Sequence, residues 1–190
     1  MTSGAVDLST RVGSVLLPNP VMTASGTGGY GDELAAYLDL STLGAVVVKS
    51  LSAEPWQGNA APRVHETPGG MLNSVGLQNG GVGAWLLEHL PALRRRGARV
   101  VASIWGFSVD DYRRAAELLA DAGPEVIAVE VNLSCPNLGA GHHLFAHSAD
   151  ATREVIGATA GCGRPRWAKL SPNVADLGPI AGAALDAGAE

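Results

Sequence analysis

The sequence predicts an α/β fold built on a parallel sheet, and three observations support this prediction. Short apolar runs rich in valine alternate with longer segments of helical periodicity, which is the rhythm of parallel α/β proteins. Five of the apolar runs end in a small polar or basic residue, as strands do where a ligand site lies at their carboxyl ends. The 190 residues, 46% of them hydrophobic, supply enough apolar side chain for a folded core.

The first elements in chain order are a hairpin arm over Val12–Leu17 and a buried strand over Pro20–Ala24. A glycine-rich turn and a short helix over Asp32–Leu38 follow, and Ala45–Lys49 is the second buried strand. Residues 52–80 form an irregular stretch that is too long for an ordinary connection between a strand and a helix. Because this stretch carries several large apolar residues, we expect it to be ordered over a functional site.

The rest of the chain predicts a further helix and three strand–helix units. They are a helix over Val82–Arg96, a strand over Arg99–Ile104, a helix capped by Ser108 and running through Ala122, a strand over Val126–Asn132, a helix over Ala149–Ala160, a strand over Arg166–Leu170, and a helix opened by Ser171 and Pro172 that ends near Ala187. The chain therefore holds five predicted strand–helix units.

The predicted strands end on polar side chains that come to one edge of a parallel sheet. These residues are Ser25, Lys49, Ser50, Ser103, Asn132 and Lys169. The two lysines directly follow apolar residues, which a solvent-facing strand end explains poorly. The sequence therefore predicts a small-molecule site at the carboxyl ends of the strands.

Residues 26–31 match the pattern G-x-G-x-x-G between a predicted strand and a predicted helix. A dinucleotide site would need an acidic residue after the second strand to hold a ribose, and Lys49 stands there instead. We interpret these glycines as a tight turn that lets a ligand approach the backbone.

Three histidines raise the alternative of a metal site, because His143 and His147 are spaced i, i+4 and His142 is adjacent. No carboxylate or other third ligand stands at a matching spacing, and Ser148 begins a predicted helix. A loop lining is the preferred interpretation, and no metal is predicted.

The two cysteines differ in their surroundings. Cys135 follows the fourth strand in a polar loop between Asn132 and Asn137, where its thiol can gain the partial exposure that a reactive thiol needs. A small apolar filler is the alternative interpretation. Cys162 lies between two glycines and is expected to be inert. Neither forms a C-x-x-C pair, so zinc, iron–sulfur and dithiol sites are not indicated.

Charge and hydropathy exclude two classes of partner. Thirteen basic and eighteen acidic residues give a formal net charge of −5, the opposite of what a phosphate-neutralising nucleic-acid binder shows. The N-terminus has no basic region before an apolar one, and no apolar run is long enough to span a bilayer. We therefore expect a cytoplasmic protein without nucleic acid or membrane as a partner.

Several segments together resemble the class 1 dihydroorotate dehydrogenases, the flavin enzymes of pyrimidine synthesis. They are Ala24–Thr27, Val48–Ser50, Asn73–Asn79, Asn132–Asn137 and, by order and spacing, Lys169–Asn173. The resemblance covers essentially the whole chain, and the segment Gly58–Arg63 leans toward the NAD-linked 1B branch.

The resemblance implies a (β/α)₈ TIM barrel that binds FMN, with residues 1–190 as one domain holding about the first five units. Cys135 would be the base that removes the C5 proton of dihydroorotate while hydride passes from C6 to the flavin, giving orotate. FMN contacts are implied for Ser25, Lys49, Ser50, Ser103, Asn132 and Lys169. Substrate contacts are implied for Lys49, Asn73, Ser74, Val75, Gly76, Leu77, Asn132 and Asn137.

The sequence departs from this family in two places. Ser103 stands where the family often has an asparagine near the flavin, and a serine reaches less far. The remaining three strand–helix units, with the expected FMN phosphate site, have no counterpart in the chain. The implied partners are dihydroorotate and orotate, and further copies in a homodimer or heterotetramer. The electron acceptor stays open between fumarate and NAD⁺, and NAD⁺ would require a separate FAD/iron–sulfur subunit.

Three alternatives remain open. A dihydropyrimidine dehydrogenase runs related flavin chemistry, but its cysteine loop typically continues Cys-Pro-His, whereas Asn137 follows Pro136 here. A tRNA-dihydrouridine synthase shares the barrel and the cysteine, but the net negative charge argues against a tRNA substrate. The non-enzymatic alternative is an inactive barrel fragment, in which Trp105 and the apolar strand faces would be partly uncovered.

Overall fold

The computed structural model describes residues 6–134 and 144–190. The strands in these ranges are β1 (Thr10–Val12), β2 (Val15–Leu17), β3 (Val46–Val47), β4 (Val64–Thr67), β5 (Gly70–Asn73), β6 (Val100–Ile104), β7 (Val126–Asn132) and β8 (Arg166–Lys169). The α-helices are α1 (Gly81–Glu88), α2 (Leu90–Arg95), α3 (Val109–Leu118), α4 (Ala149–Ala158) and α5 (Gly178–Asp186). Four predicted residues, Cys135, Asn137, His142 and His143, lie outside the described ranges.

The centre of the fold is a four-stranded parallel sheet in the order β3-β6-β7-β8. Its register pairs Val46 with Val100, Ala102 with Val129, and Asn132 with Lys169. The predicted parallel α/β fold is thus confirmed, and sequential strands lie side by side. The described strands do not close into a barrel.

Alternate residues of the strands pack into two separate cores, as the period of two requires. One face of the sheet, with Val46, Ala102 and Val129, packs against the helices in the main core. The opposite face forms a smaller cluster of Leu17, Ala45, Val47, Val101 and Ala128. Because Leu17 belongs to β2, the hairpin β1–β2 covers the amino-terminal part of this inner face and leaves the carboxyl ends of the strands open.

The predicted N-cap of α3 is confirmed. The Ser108 side chain accepts a hydrogen bond from the Asp111 backbone, and the Asp111 carboxylate accepts one from the Ser108 backbone at 3.0 Å. This reciprocal pair satisfies two amide groups that the first helical turn leaves unpaired. The helix ends at Leu118, four residues before the predicted end.

The single helix predicted over Val82–Arg96 is wrong, because the structure has two helices with His89 between them. Pro91 lies in the first turn of α2. Proline lacks an amide hydrogen and its ring excludes the carbonyl group four residues earlier, so α1 cannot continue through it. Proline is well accommodated in a first turn, and a new helix therefore begins at Leu90.

Other predicted boundaries also differ from the structure. The second buried strand, predicted over Ala45–Lys49, covers Val46–Val47. The predicted helix over Asp32–Leu38 is a 3₁₀ helix over Asp32–Ala36. The last helix begins at Gly178 with Pro179 in its first turn, and not at Ser171. Residues 52–80, predicted to be irregular, contain the exposed antiparallel hairpin β4–β5. Among the described helices, none has the length and apolar content needed to cross a membrane.

The first predicted strand is reduced to one backbone bridge and a side-chain contact. Within Pro20–Ala24, Met22 alone bridges to Ala45, and the next ladder positions are occupied by the Thr23 hydroxyl. This hydroxyl donates to the Val47 carbonyl at 2.9 Å and accepts from the Val47 amide at 2.8 Å. The Val47 amide and carbonyl groups at the edge of β3 are therefore paired by a side chain and not by a neighbouring strand. An apolar sequence pattern does not reveal such a contact.

Thr23→Val is expected to lower the free energy of unfolding by about 2–4 kcal/mol, because it leaves the buried amide and carbonyl groups of Val47 unpaired. Urea unfolding of the chain measures this loss. The matched control is Thr27→Val, whose hydroxyl bonds the Ala24 carbonyl in an exposed position. The control is expected to cost no more than about 0.5 kcal/mol. Equal losses in the two variants would refute this role of Thr23.

Candidate active site

The carboxyl ends of β3, β6, β7 and β8 form one edge of the sheet, here called the carboxyl edge, and three buried polar residues lie on it. The Ser50 and Ser103 hydroxyls are 2.8 Å apart, and the Asn132 amide donates to Ser50 at 2.9 Å. Ser103 donates to the Glu130 carboxylate at 2.7 Å. The structure thus joins three predicted site residues in one network, and adds Glu130 to it.

The orientation of Asn132 is fixed by its own neighbours. The Ser134 hydroxyl and amide donate to the Asn132 side-chain oxygen at 2.8 and 3.2 Å. The Tyr112 hydroxyl of α3 donates to the Asn132 main-chain carbonyl at 2.7 Å. Because the side-chain oxygen accepts these bonds, the amide nitrogen is the atom directed toward Ser50.

A second contact joins the end of β8 to the glycine-rich turn that precedes β3. The Lys169 ammonium group, at the end of β8, donates to the Ser25 hydroxyl at 2.9 Å. An ammonium group has three donors, and within the described residues Lys169 uses one of them. Ser25 lies in the glycine-rich turn, where Gly26, Gly29 and Gly31 have φ values of 86°, 58° and 104°. The predicted tight turn is confirmed.

A cavity of about 440 Å³ opens beside the carboxyl edge. It is lined by Gly26, Lys49, Trp56, Asn59, Asn73, Ser74, Val75, Gly76, Leu77, Trp105 and Phe107. Lys49 is half-buried, and none of the described residues forms an ion pair or hydrogen bond with its ammonium group. The structure therefore places a half-buried cation and residues 73–77, for which the resemblance implies substrate contacts, around one cavity.

Three consecutive carbonyl groups of the 73–77 segment point to one side, toward Trp56 and Asn59. The Asn59 side chain donates to the Ser74 carbonyl at 3.0 Å, and the Asn59 amide to the Val75 carbonyl at 3.1 Å. The Trp56 indole donates to the Gly76 carbonyl at 2.8 Å. In a trans peptide unit the amide hydrogen points away from the carbonyl oxygen.

The three amide groups of the same peptide units, those of Val75, Gly76 and Leu77, therefore point away from Trp56 and Asn59. None of them donates to a described residue. Gly76 and Leu77 have φ values of 72° and 59°, and a leucine with a positive φ is uncommon. Amide groups that no described residue uses are donors available to an anion or a carbonyl oxygen.

Gly58 lets the two backbone segments approach closely. Its φ of 71° favours glycine, and a β-carbon there would collide with the Val75 carbonyl oxygen. Buried Asn79 anchors the far end of the segment, because its side chain donates to the Leu77 carbonyl at 2.8 Å and accepts from the Ser52 and Gly81 amides.

Sequence reasoning missed the residues that support the site. Trp56 was expected only to be part of an ordered loop, which is confirmed, and Asn59 was noted only as part of a family segment. The signal for Glu130 was present, because a carboxylate inside an otherwise apolar strand needs a buried partner. Trp105 was expected to be partly uncovered in a fragment, but it is 2% exposed.

The remaining alternatives can be placed on the structure. His147 lies in a 3₁₀ helix, and the described residues contain no group of three or more potential metal ligands. Cys162 is fully buried and its thiol lies 3.5 Å from the Arg164 carbonyl, which agrees with an inert thiol.

Comparison with known proteins gives a consistent result. The family model described as dihydroorotate dehydrogenase matches residues 7–190. Dihydroorotate dehydrogenase B (NAD(+)), catalytic subunit, from Geotalea uraniireducens is 47% identical over 188 residues, covering 98% of this chain and 61% of that protein. The proteins of the same name from Geotalea daltonii and Alkaliphilus metalliredigens are 46% and 45% identical, over 60% and 61% of their lengths. The chain thus spans about three fifths of these relatives.

Proposed function

Since the chain belongs to the dihydroorotate dehydrogenase family, we propose that the whole protein oxidises dihydroorotate to orotate with FMN as its cofactor. In this proposal the described sheet is the first part of a TIM barrel, and residues 1–190 hold about five of its eight strand–helix units. The missing units would include the FMN phosphate site. The names of the relatives favour the NAD-linked branch.

The observation that carries the proposal is the half-buried Lys49 ammonium group facing a cavity that the 73–77 segment also lines. Dihydroorotate is a cyclic diamide with one carboxylate. A cation and a group of free amide hydrogens are complementary to that carboxylate. Lys49 and the amide groups of Val75, Gly76 and Leu77 would hold it, while Asn73 and Ser74 supply further polar contacts at the same wall.

The opposite side of a pyrimidine ring presents alternating carbonyl and N–H groups. An asparagine side chain offers one acceptor and two donors, which suits such an edge. In Asn132 the oxygen accepts from Ser134 and the amide donates to Ser50, so substrate binding would exchange part of these contacts. Asn132 and, in the segment outside the described residues, Asn137 are the proposed partners. The buried network around Ser50 and Ser103 holds Asn132 in place.

The residues of the carboxyl edge also fit a flavin. Lys169 keeps donors that no described residue uses, Ser25 and Ser50 present hydroxyl groups, and the glycine-rich turn permits a planar ligand to approach its backbone. Lys169 would offset negative charge on the ring. Ser103 is fully buried and donates to Glu130. When bound, FMN would accept hydride from C6 of the substrate.

Cys135 is the proposed base. Its thiolate would remove the C5 proton of dihydroorotate, and the substrate contacts above would hold that carbon toward it.

The electrons would leave through an FAD/iron–sulfur partner subunit toward NAD⁺, in keeping with the name of the relatives as catalytic subunits. The chain has two cysteines and no cluster motif of its own. A homodimer, or a heterotetramer with the partner, is the proposed assembly.

The full-length protein is expected to purify with one FMN per chain and to lose its flavin absorbance when dihydroorotate is added without oxygen, with one orotate formed per flavin. Absorbance spectroscopy and chromatography of the products measure this. Reduction by dihydrouracil but not by dihydroorotate would favour a dihydropyrimidine dehydrogenase. A folded full-length protein that lacks flavin would contradict the proposal.

A further inference from the structure

We propose that Trp56 is a positioning residue for substrate binding, whose indole N–H turns the Gly76–Leu77 peptide so that its amide faces the ligand. This inference rests on the function proposed above. The expected effect is on the affinity of the protein for the carboxylate of the substrate. Trp56 lies outside the segments that carry the family resemblance.

Within the 73–77 segment, Leu77 packs against the main core, and the other four residues do not belong to it. Asn73 and Ser74 are exposed, and Val75, Gly76 and Leu77 are half-buried. Its conformation is also unfavourable without support, because Leu77 has a φ of 59°. Hydrogen bonds from neighbouring residues must therefore hold it.

Trp56 supplies the bond at the most strained point. Its indole donates to the Gly76 carbonyl at 2.8 Å, and this carbonyl belongs to the peptide unit that carries the Leu77 amide. Because the peptide unit is planar and trans, fixing the oxygen fixes the amide hydrogen on the opposite side. A peptide without this bond can rotate, and its amide would then leave the set of three that we propose to face the ligand.

Trp56 is itself held firmly enough to act in this way. Its backbone pairs with Asn79 in both directions, at 2.8 and 2.9 Å. Its ring packs edge-on against Phe107, with ring centroids 4.9 Å apart, and Phe107 packs edge-on against Trp105 at 4.8 Å. Since Trp105 and Phe107 directly follow β6, this aromatic cluster links the 73–77 segment to the carboxyl edge.

The chain offers a matched control for the loss of an indole N–H. The Trp167 indole nitrogen is buried and has no hydrogen-bond partner among the described residues. Trp167 packs on the inner face of β8 with the Leu17 cluster and does not line the cavity. Replacement by phenylalanine makes the same chemical change at both positions, but within the part of the chain that the structure describes only Trp56 loses a bond.

The test uses the full-length flavin-loaded protein and follows anaerobic reduction at increasing dihydroorotate concentration, which separates the substrate dissociation constant from the limiting rate. Trp56→Phe is expected to raise the dissociation constant about five- to tenfold, the effect of one hydrogen bond. The limiting rate is expected to stay within about twofold. Trp167→Phe is expected to change neither quantity by more than about twofold.

The outcomes separate this inference from the proposed function. A wild-type protein that dihydroorotate does not reduce would contradict the proposed function. A reducible wild type with Trp56→Phe binding dihydroorotate as tightly as Trp167→Phe would overturn the role of Trp56 alone. If Trp56→Phe does not fold, replacement of Trp56 by benzothienylalanine, which keeps the ring shape but has sulfur in place of N–H, gives the same comparison with the same two outcomes.

Discussion

Replacement of Cys135 by alanine is expected to slow flavin reduction by dihydroorotate at pH 7 by about 10²- to 10⁴-fold, the range of a general base. The C5 proton would then have no acceptor within the site, whereas the contacts for flavin and substrate would remain. The flavin content and the orotate dissociation constant should therefore stay close to those of the wild type. Stopped-flow absorbance measures the rate, and titration with orotate measures the affinity.

The proposed role of Cys135 also predicts how the rate of flavin reduction changes with pH. In the proposed mechanism the Cys135 thiolate is the base, and an unperturbed thiol has a pKa of about 8.5. The wild-type reduction rate should rise with pH up to the pKa of the thiol and then level off. Cys135→Ser is the matched variant, and because a hydroxyl holds its proton more tightly, its rate should be low at pH 7 and still rising at pH 10. Rapid reduction of the alanine variant would refute the role of Cys135.

The sheet and the meeting of polar side chains at the strand ends could be predicted because each depends on local patterns. Val126–Asn132 appears as a strand at the predicted residues, since a buried parallel strand is a continuous apolar run. The proximity of Ser50, Ser103 and Asn132 follows from the strand pattern alone, because residues at the ends of neighbouring parallel strands must meet.

The supporting contacts could not be predicted because they depend on partners that are distant in sequence. Trp56 and Gly76 are twenty residues apart, and their bond depends on how two irregular segments pass each other. Thr23 replaces a backbone ladder with a hydroxyl, which no periodicity signals. Hydrophobic patterns identify a buried surface, whereas the polar groups that hold a loop follow from three-dimensional placement.

The two lysines of the chain look alike in sequence but differ in the contacts that the structure gives them. The sequence has eleven arginines and two lysines, and both lysines lie at the carboxyl edge. Lys169 has the Ser25 hydroxyl as a partner, whereas the Lys49 ammonium group has none among the described residues. A half-buried cation without a counter-charge is costly in the free protein. This cost is offset when an anionic ligand binds, and the largest binding effect is therefore expected at Lys49.

Lys49→Met in the full-length protein is expected to weaken orotate binding on the order of 100-fold, or about 2.7 kcal/mol, because the ligand carboxylate loses its charged partner in a partly desolvated site. Methionine keeps most of the apolar stem of lysine, so the wall of the cavity should remain filled. Isothermal titration calorimetry on flavin-loaded protein measures the dissociation constant. The flavin content of the variant is measured in the same samples, because Lys49 is also a proposed flavin contact.

Two variants determine whether charge at this position is the cause. Lys49→Arg keeps the cation and should recover part of the lost affinity. Arg153→Met removes an exposed cation that pairs with Asp150 at 2.8 Å. This control should change orotate binding by less than about twofold. A weak salt dependence of the Lys49 effect would agree with a partly buried pair. Equal orotate affinities for wild type and Lys49→Met would show that the carboxylate lies elsewhere, and residues 73–77 would then have to bind it without a cation.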